Sequence, residues 1–159
     1  MEDLEAAAMR LLELVRSLDA AQSRDAVVQA LITHLSESHS QVAFFAIKPG
    51  LLAVWLRHPP GPTQASLGLD QPSLFQDVVR TRLPFHGPPD PVAGAFVGDL
   101  LGGLPEQVLA LPVAVKGRVV GVLYGHGRQR IVFDEHLAVV ARAAGAALEG
   151  VYALLRRKT

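Results

Sequence analysis

The stretch VLALPVAVKGRVVGVLYG, residues 108–125, decides what kind of fold this chain can adopt. Two apolar runs flank the polar turn Lys116-Gly117-Arg118, so it reads as a β-hairpin with arms over 108–115 and 119–124. In the first arm Leu109, Leu111, Val113 and Val115 alternate with Val108, Ala110, Pro112 and Ala114, which makes both faces apolar. A strand that is apolar on both faces is covered on both. The smaller residues predict close-packed helices on their side, and the larger branched ones predict a looser, proline-rich cover on the other. Pro112 has no N–H to give to a ladder, so it predicts a bulge or a missing neighbour.

Working outward, QVAFFAIKPGLLAVWLRH, residues 41–58, is a second β-rich run broken by the turn tripeptide Lys48-Pro49-Gly50, hence a second hairpin. Residues 59–70 are rich in Pro, Gly, Ser and Thr and predict a loop. Ser73 then caps a short helix, and residues 83–107 follow with five prolines and five glycines among Phe85, Val92, Phe96, Val97, Leu100 and Leu101. Such a segment predicts an apolar loop packed on something, as lids and pocket walls are.

Helices bound the chain. Near the N-terminus Leu4, Ala8, Leu11, Val15 and Leu18 recur at helical spacing, and Ser23 caps a second helix with Ala26, Val27, Ala30, Leu31 and Leu35 on one face. At the other end Phe133 precedes a long helix reaching about Arg157, with Asp134 as its N-cap, Arg156, Arg157 and Lys158 in its last turn, and a seam of Leu137, Ala141, Ala144, Leu148, Val151 and Leu155. The expected architecture is α+β: one domain over residues 1–159, with an N-terminal helix over 1–22, a core over 23–132 and a C-terminal helix over 133–159. In it an antiparallel sheet carries the terminal helices on one face and the helix and loop excursion on the other.

Composition removes several chemistries. The 159 residues carry 15 basic and 15 acidic side chains, so no net charge draws the chain to nucleic acid or anionic lipid. With no cysteine there is no disulfide, thiolate or sulfur ligand, and the expected compartment is the cytoplasm. The longest uninterrupted apolar runs are shorter than the roughly twenty residues that cross a bilayer, so no membrane insertion is expected. The bias to arginine over lysine, with abundant Ala, Gly, Leu and Val, fits a GC-rich bacterial genome.

The order helix, hairpin, excursion, hairpin, long helix, together with VLALPVAVKGRVVGVLYG and FDEHLAVVARAAGAALEGVY, resembles the GAF domain. The resemblance spans about residues 23–157 and implies a sensory or regulatory module. It leaves function open, since GAF domains bind cyclic nucleotides, bilins, haem, small metabolites or nothing known. Phytochrome-type bilin carriers and the free methionine sulfoxide reductase branch rely on cysteines, which this chain lacks. Cyclic-nucleotide binders carry Asn-Lys before Phe-x-x-x-Asp-Glu, whereas here Asp134-Glu135 follows Phe133 directly.

No catalytic constellation stands out. The histidines, His34, His39, His58, His86, His126 and His136, form no His-x-x-x-His or Glu-x-x-His pair, so surface or turn positions are expected and no metal or cofactor. Gly-x-Ser-x-Gly and phosphate-loop motifs are absent, and Asp90 and Asp99 are the only aspartates among residues 83–107, so a paired acid and base would have to recruit Asp70, Asp77 or Glu106. What remains is a layer of rings. Phe45, Trp55, Phe75, Phe85, Phe96 and Tyr124, with His86, Asp99, Leu111 and Val113, would either line a small-ligand pocket between the sheet and residues 73–107 or close into a core. Leu4, Leu11, Val15, Leu18, Ala144, Leu148, Val151 and Leu155 are the expected homodimer interface, through which a signalling partner would be regulated. An enzyme using Asp and His groups is the weakest of these readings.

Overall fold

The computed structural model describes residues 4–128 and 134–157. Its elements are α1 (Leu4–Ala20), α2 (Arg24–Ser36), β1 (His39–Lys48), β2 (Leu51–His58), β3 (Ser66–Gly68), α3 (Leu74–Thr81), β4 (Phe85–Gly87), α4 (Pro91–Leu101), β5 (Val108–Val115), β6 (Arg118–Arg128) and α5 (Asp134–Arg157). The strands form one antiparallel sheet in the order β3-β2-β1-β6-β5-β4. The two hairpins therefore lie side by side, joined through β1 and β6.

The second hairpin turns on two residues, Lys116 and Gly117, at φ 53° and 76°. Two successive positive values mark the turn whose twist matches that of paired strands. β6 runs on to Arg128, four residues beyond the predicted arm. Pro112 pairs with Val122 on one side and lies past the end of β4 on the other, so its missing N–H costs no ladder bond.

The two sides of the sheet are both covered. One buried layer contains Val27, Leu31 and Leu35 of α2, Leu137, Val140, Ala144, Leu148 and Val151 of α5, and Phe44, Leu109, Leu111, Val113 and Leu123 of the sheet. The other contains Phe75 and Val78 of α3, Ala93 and Val97 of α4, and Ala43, Phe45, Val108, Ala110, Val122 and Tyr124 of the sheet. The assignment of the two faces of β5 is thus the reverse of the expectation. Its larger residues lie on the side covered by α2 and α5, and its smaller ones face the excursion.

That excursion is more regular than predicted. Residues 59–70 include β3, and residues 83–107 contain β4 and the eleven-residue α4. Asp90 caps α4, its side chain accepting from Ala93 N–H, and Pro91 occupies the first turn, where proline's fixed φ suits a helix. Ser23 and Ser73 cap α2 and α3 as expected.

α5 lies on β5 at Gly145, where an added Cβ would overlap the Ala114 carbonyl oxygen. By length and composition α5 is apolar enough to cross a membrane, yet its Leu137, Val140, Leu148 and Val151 are buried in the layer it forms with the sheet. Asp134 is its first helical residue rather than its cap, and Phe133 and Lys158 lie outside the described residues. In α1 the buried residues are Ala7, Leu14 and Leu18, while Leu4 and Ala8 of the predicted stripe face solvent.

Candidate functional site

The space between the sheet and α3–α4 is occupied by four aromatic rings. Phe45 of β1 meets Phe75 of α3 at 5.4 Å between centroids, Phe96 of α4 at 5.6 Å and Tyr124 of β6 at 5.9 Å. Phe75 in turn meets Phe96 at 6.2 Å and Tyr124 at 5.8 Å. These are the separations of favourable edge and tilted ring pairs. Phe45, Phe75 and Tyr124 have no exposed surface.

Tyr124 brings a hydroxyl into this layer. Burial pushes its phenol pKa up, so the hydroxyl stays protonated, and it is hydrogen-bonded to His126 Nδ1 at 2.8 Å. Burial lowers the His126 pKa, and the backbone of Gly102, just past the end of α4, opposes that shift. The pair gives the buried hydroxyl a partner on the same strand without opening the layer.

Two open grooves flank the rings. One of about 360 Å³ runs past Ser73, Asp77, Phe85, Pro89 and Asp90. The other, about 640 Å³, is bordered by Arg57, Gln64, Phe96, Asp99 and Leu100. Arg57 is committed to structure there, donating to the carbonyls of Pro59 (3.1 Å), Pro62 (3.3 Å) and Leu100 (2.7 Å). Neither groove reaches Phe45, Phe75 or Tyr124.

Of the ten residues expected around a pocket, the structure brings Phe45, Phe75, Phe96 and Tyr124 into contact and sets Phe85 against the same layer. Asp99 is exposed on the rim of the larger groove. Four are corrected. Leu111 and Val113 lie on the opposite face, covered by α2 and α5, and His86 is exposed on the edge strand β4. Trp55 is the extra residue of a bulge: Phe44 pairs with Leu56 and Phe45 with Val54, so the alternation of β2 slips there. Its ring packs on Phe44 on the helical side and its Nε1–H donates to Asp25 Oδ1 at 3.0 Å.

The interface residues divide likewise. Leu18, Ala144, Leu148 and Val151 are buried within the protomer, because these sides of α1 and α5 supply the core. Leu4 and Leu155 are exposed, and Leu11 and Val15 are half-buried. An apolar groove of about 530 Å³ separates the start of α1 from that of α5, bordered by Leu4, Ala7, Ala8, Leu11, His136 and Val139.

The histidines differ most from expectation. His34, His39, His126 and His136 are buried. His34 Nε2 and His136 Nε2 are 2.8 Å apart, one donating and the other accepting, with rings 8° from parallel. Burial, then His136 and Arg10, lower the His34 pKa to about 4. His39 is lowered to about 4 as well, first by burial and next by Arg128; its Nδ1 lies 2.9 Å from Ser38 Oγ. No sequence spacing could announce contacts between α2 and α5, 102 positions apart. Among the described residues no three His, Cys, Asp or Glu side chains are grouped to hold a metal ion.

No protein-family model and no curated protein matches the chain. Solved structures do. The GAF domain of a phosphoenolpyruvate-protein phosphotransferase from Coxiella burnetii superposes with a TM-score of 0.75 at 16% identity, covering 99% of this chain and 100% of that one. The GAF domain of a two-component sensor histidine kinase from Bacillus halodurans gives 0.62 at 18% identity over 84% and 99%. The free methionine-R-sulfoxide reductase of Neisseria meningitidis, solved in complex with its substrate, gives 0.70 at 13% identity over 100% and 97%. The chain has the GAF-domain fold.

Proposed function

We propose that this chain is a non-catalytic regulatory module of signal transduction, and that it acts in the cytoplasm as a homodimer joined by its terminal helices. The observation that carries the reading is the mutual packing of Phe45, Phe75, Phe96 and Tyr124. Where a ligand chamber would divide the sheet from α3 and α4, rings fill the space. The module then communicates through protein contacts instead of through a bound metabolite.

The fold is shared with domains taken from a sensor histidine kinase and a phosphotransferase, which supports a regulatory role. It is shared with an enzyme too, but without cysteine the thiol chemistry expected of that branch has no counterpart here. The Ser38–His39 pair offers no substitute, since both side chains are buried. Multi-angle light scattering across a concentration series, joined to native mass spectrometry, tests the reading. A dimer without a retained small molecule is expected; a monomer carrying one stoichiometric metabolite overturns it.

A further inference from the structure

Along its solvent side α5 carries Glu135, Arg142, Glu149 and Arg156, all exposed and each seven residues from the next. Seven residues are nearly two helical turns, so the four form one row that drifts by only about 20° per step. Their signs alternate. The residues three and four positions from Arg142 are Ala138, Val139, Gly145 and Ala146, and those around Glu149 are Gly145, Ala146, Tyr152 and Ala153. Neither charge therefore has an opposite charge within reach along its own helix.

We propose that this row is a self-complementary surface, on which α5 pairs antiparallel with α5 of a second copy about a two-fold axis between residues 145 and 146. Residues facing one another across such an axis are equidistant from it. Arg142 then meets Glu149 of the partner subunit, Glu135 meets Arg156 of the partner subunit, and symmetry repeats both pairs. One register matches all four charges. Parallel pairing in register sets Arg142 against Arg142 of the partner subunit, and like against like at every other step.

The antiparallel direction also places the acidic first turn, Asp134 and Glu135, beside the basic last turn, Arg156 and Arg157, and opposes the two helix dipoles. Small residues border the row: Ala138 and Ala146 are exposed, Ala153 is half-buried, and Gly150 has open space where a Cβ would stand. Helices can approach closely there. Exposed ion pairs contribute little each, so they fix direction and register, while the adjoining α1–α5 groove extends the apolar area. The inference rests on the reading of the terminal helices as the association surface, and adds the partner face, its direction and its register.

A cysteine-free chain makes orientation directly readable. Ala138 and Ala153 are equidistant from the same axis. Coexpressed A138C and A153C chains are expected to form a disulfide-linked heterodimer under mild oxidation, with neither variant linking to itself. Self-linked A138C would show parallel pairing and overturn the proposal. In light scattering R142E should weaken the dimer by about tenfold or more, and R142E/E149R should recover it. A wild-type chain that stays monomeric overturns both this inference and the dimeric module; a wild-type dimer that yields no 138–153 link overturns the register alone.

Discussion

Asp90 joins the starts of two helices. Its Oδ2 accepts from Ala93 N–H of α4 at 3.1 Å, and its Oδ1 accepts from Leu74 N–H of α3 at 2.7 Å. Each of those donors would otherwise point at the end of a helix with no partner inside it. Asp90→Ala should therefore cost more than a single lost cap, about 1–3 kcal/mol in urea unfolding. Asp90→Asn, which keeps one acceptor oxygen, should lose less; equal losses would contradict the shared-cap role. His34 makes a different prediction. Buried, and then set against His136 and near Arg10, it resists protonation in the folded chain down to about pH 4, whereas the unfolded chain takes up that proton near 6.5. The unfolded state binds more protons throughout that window. Stability is thus full above pH 6.5 and falls as pH drops toward 4, on the order of 3 kcal/mol for His34, with a similar loss from buried His39. Unfolding midpoints at about pH 7.5 and 4.5 measure this fall. His34→Gln should flatten part of the profile, and an unchanged slope in that variant would assign the loss elsewhere.

Among the elements, α5 contains two glycines with opposite surroundings. At Gly145 a Cβ would collide with the Ala114 carbonyl oxygen, while at Gly150 nothing lies within 4 Å. Gly145→Ala must push α5 off β5 and should cost about 1–3 kcal/mol. Gly150→Ala restores an ordinary helix former at an open site and should add up to about 1 kcal/mol to protomer stability. Thermal melts of the two variants should move in opposite directions; a shared sign would refute the placement of α5 on the sheet. The hairpins, the serine caps and the long last helix were legible because local chemistry dictates them. α4 was not, although Asp90-Pro91 is a sound helix start: five prolines and five glycines over residues 83–107 outweighed it. Four of those prolines precede α4 or occupy its first turn, where they break no helical bond. The faces of β5 were reversed because volume alone does not say which layer is the looser. Trp55 was misplaced because a bulge in β2 leaves no trace in an alternating pattern.

For the whole molecule, a sheet apolar on both sides is held between α2 and α5 below, with α1 packed on those two helices, and α3 and α4 above. The sequence could name the rings of the upper layer but could not tell a lined chamber from a filled one, since the same residue types build both. The difference is measurable as free energy. A ring bordering a void has neighbours on one side only, so its truncation forfeits few contacts. Phe75 has no exposed surface and packs on Phe45, Phe96 and Tyr124. Phe75→Ala must therefore leave a cavity in a closed layer, and should destabilise the chain by about 3–5 kcal/mol in urea unfolding. Phe85, half-buried at the edge of the smaller groove, provides the contrast, and Phe85→Ala should cost clearly less. The Phe75→Ala cavity should also take up benzene and regain melting temperature, as dry apolar cavities do, while the unaltered chain shows no such gain. A loss below about 1 kcal/mol on Phe75→Ala, or benzene stabilising the unaltered chain to the same degree, would mean that the rings already surround empty space and that a small-molecule sensor better describes this protein.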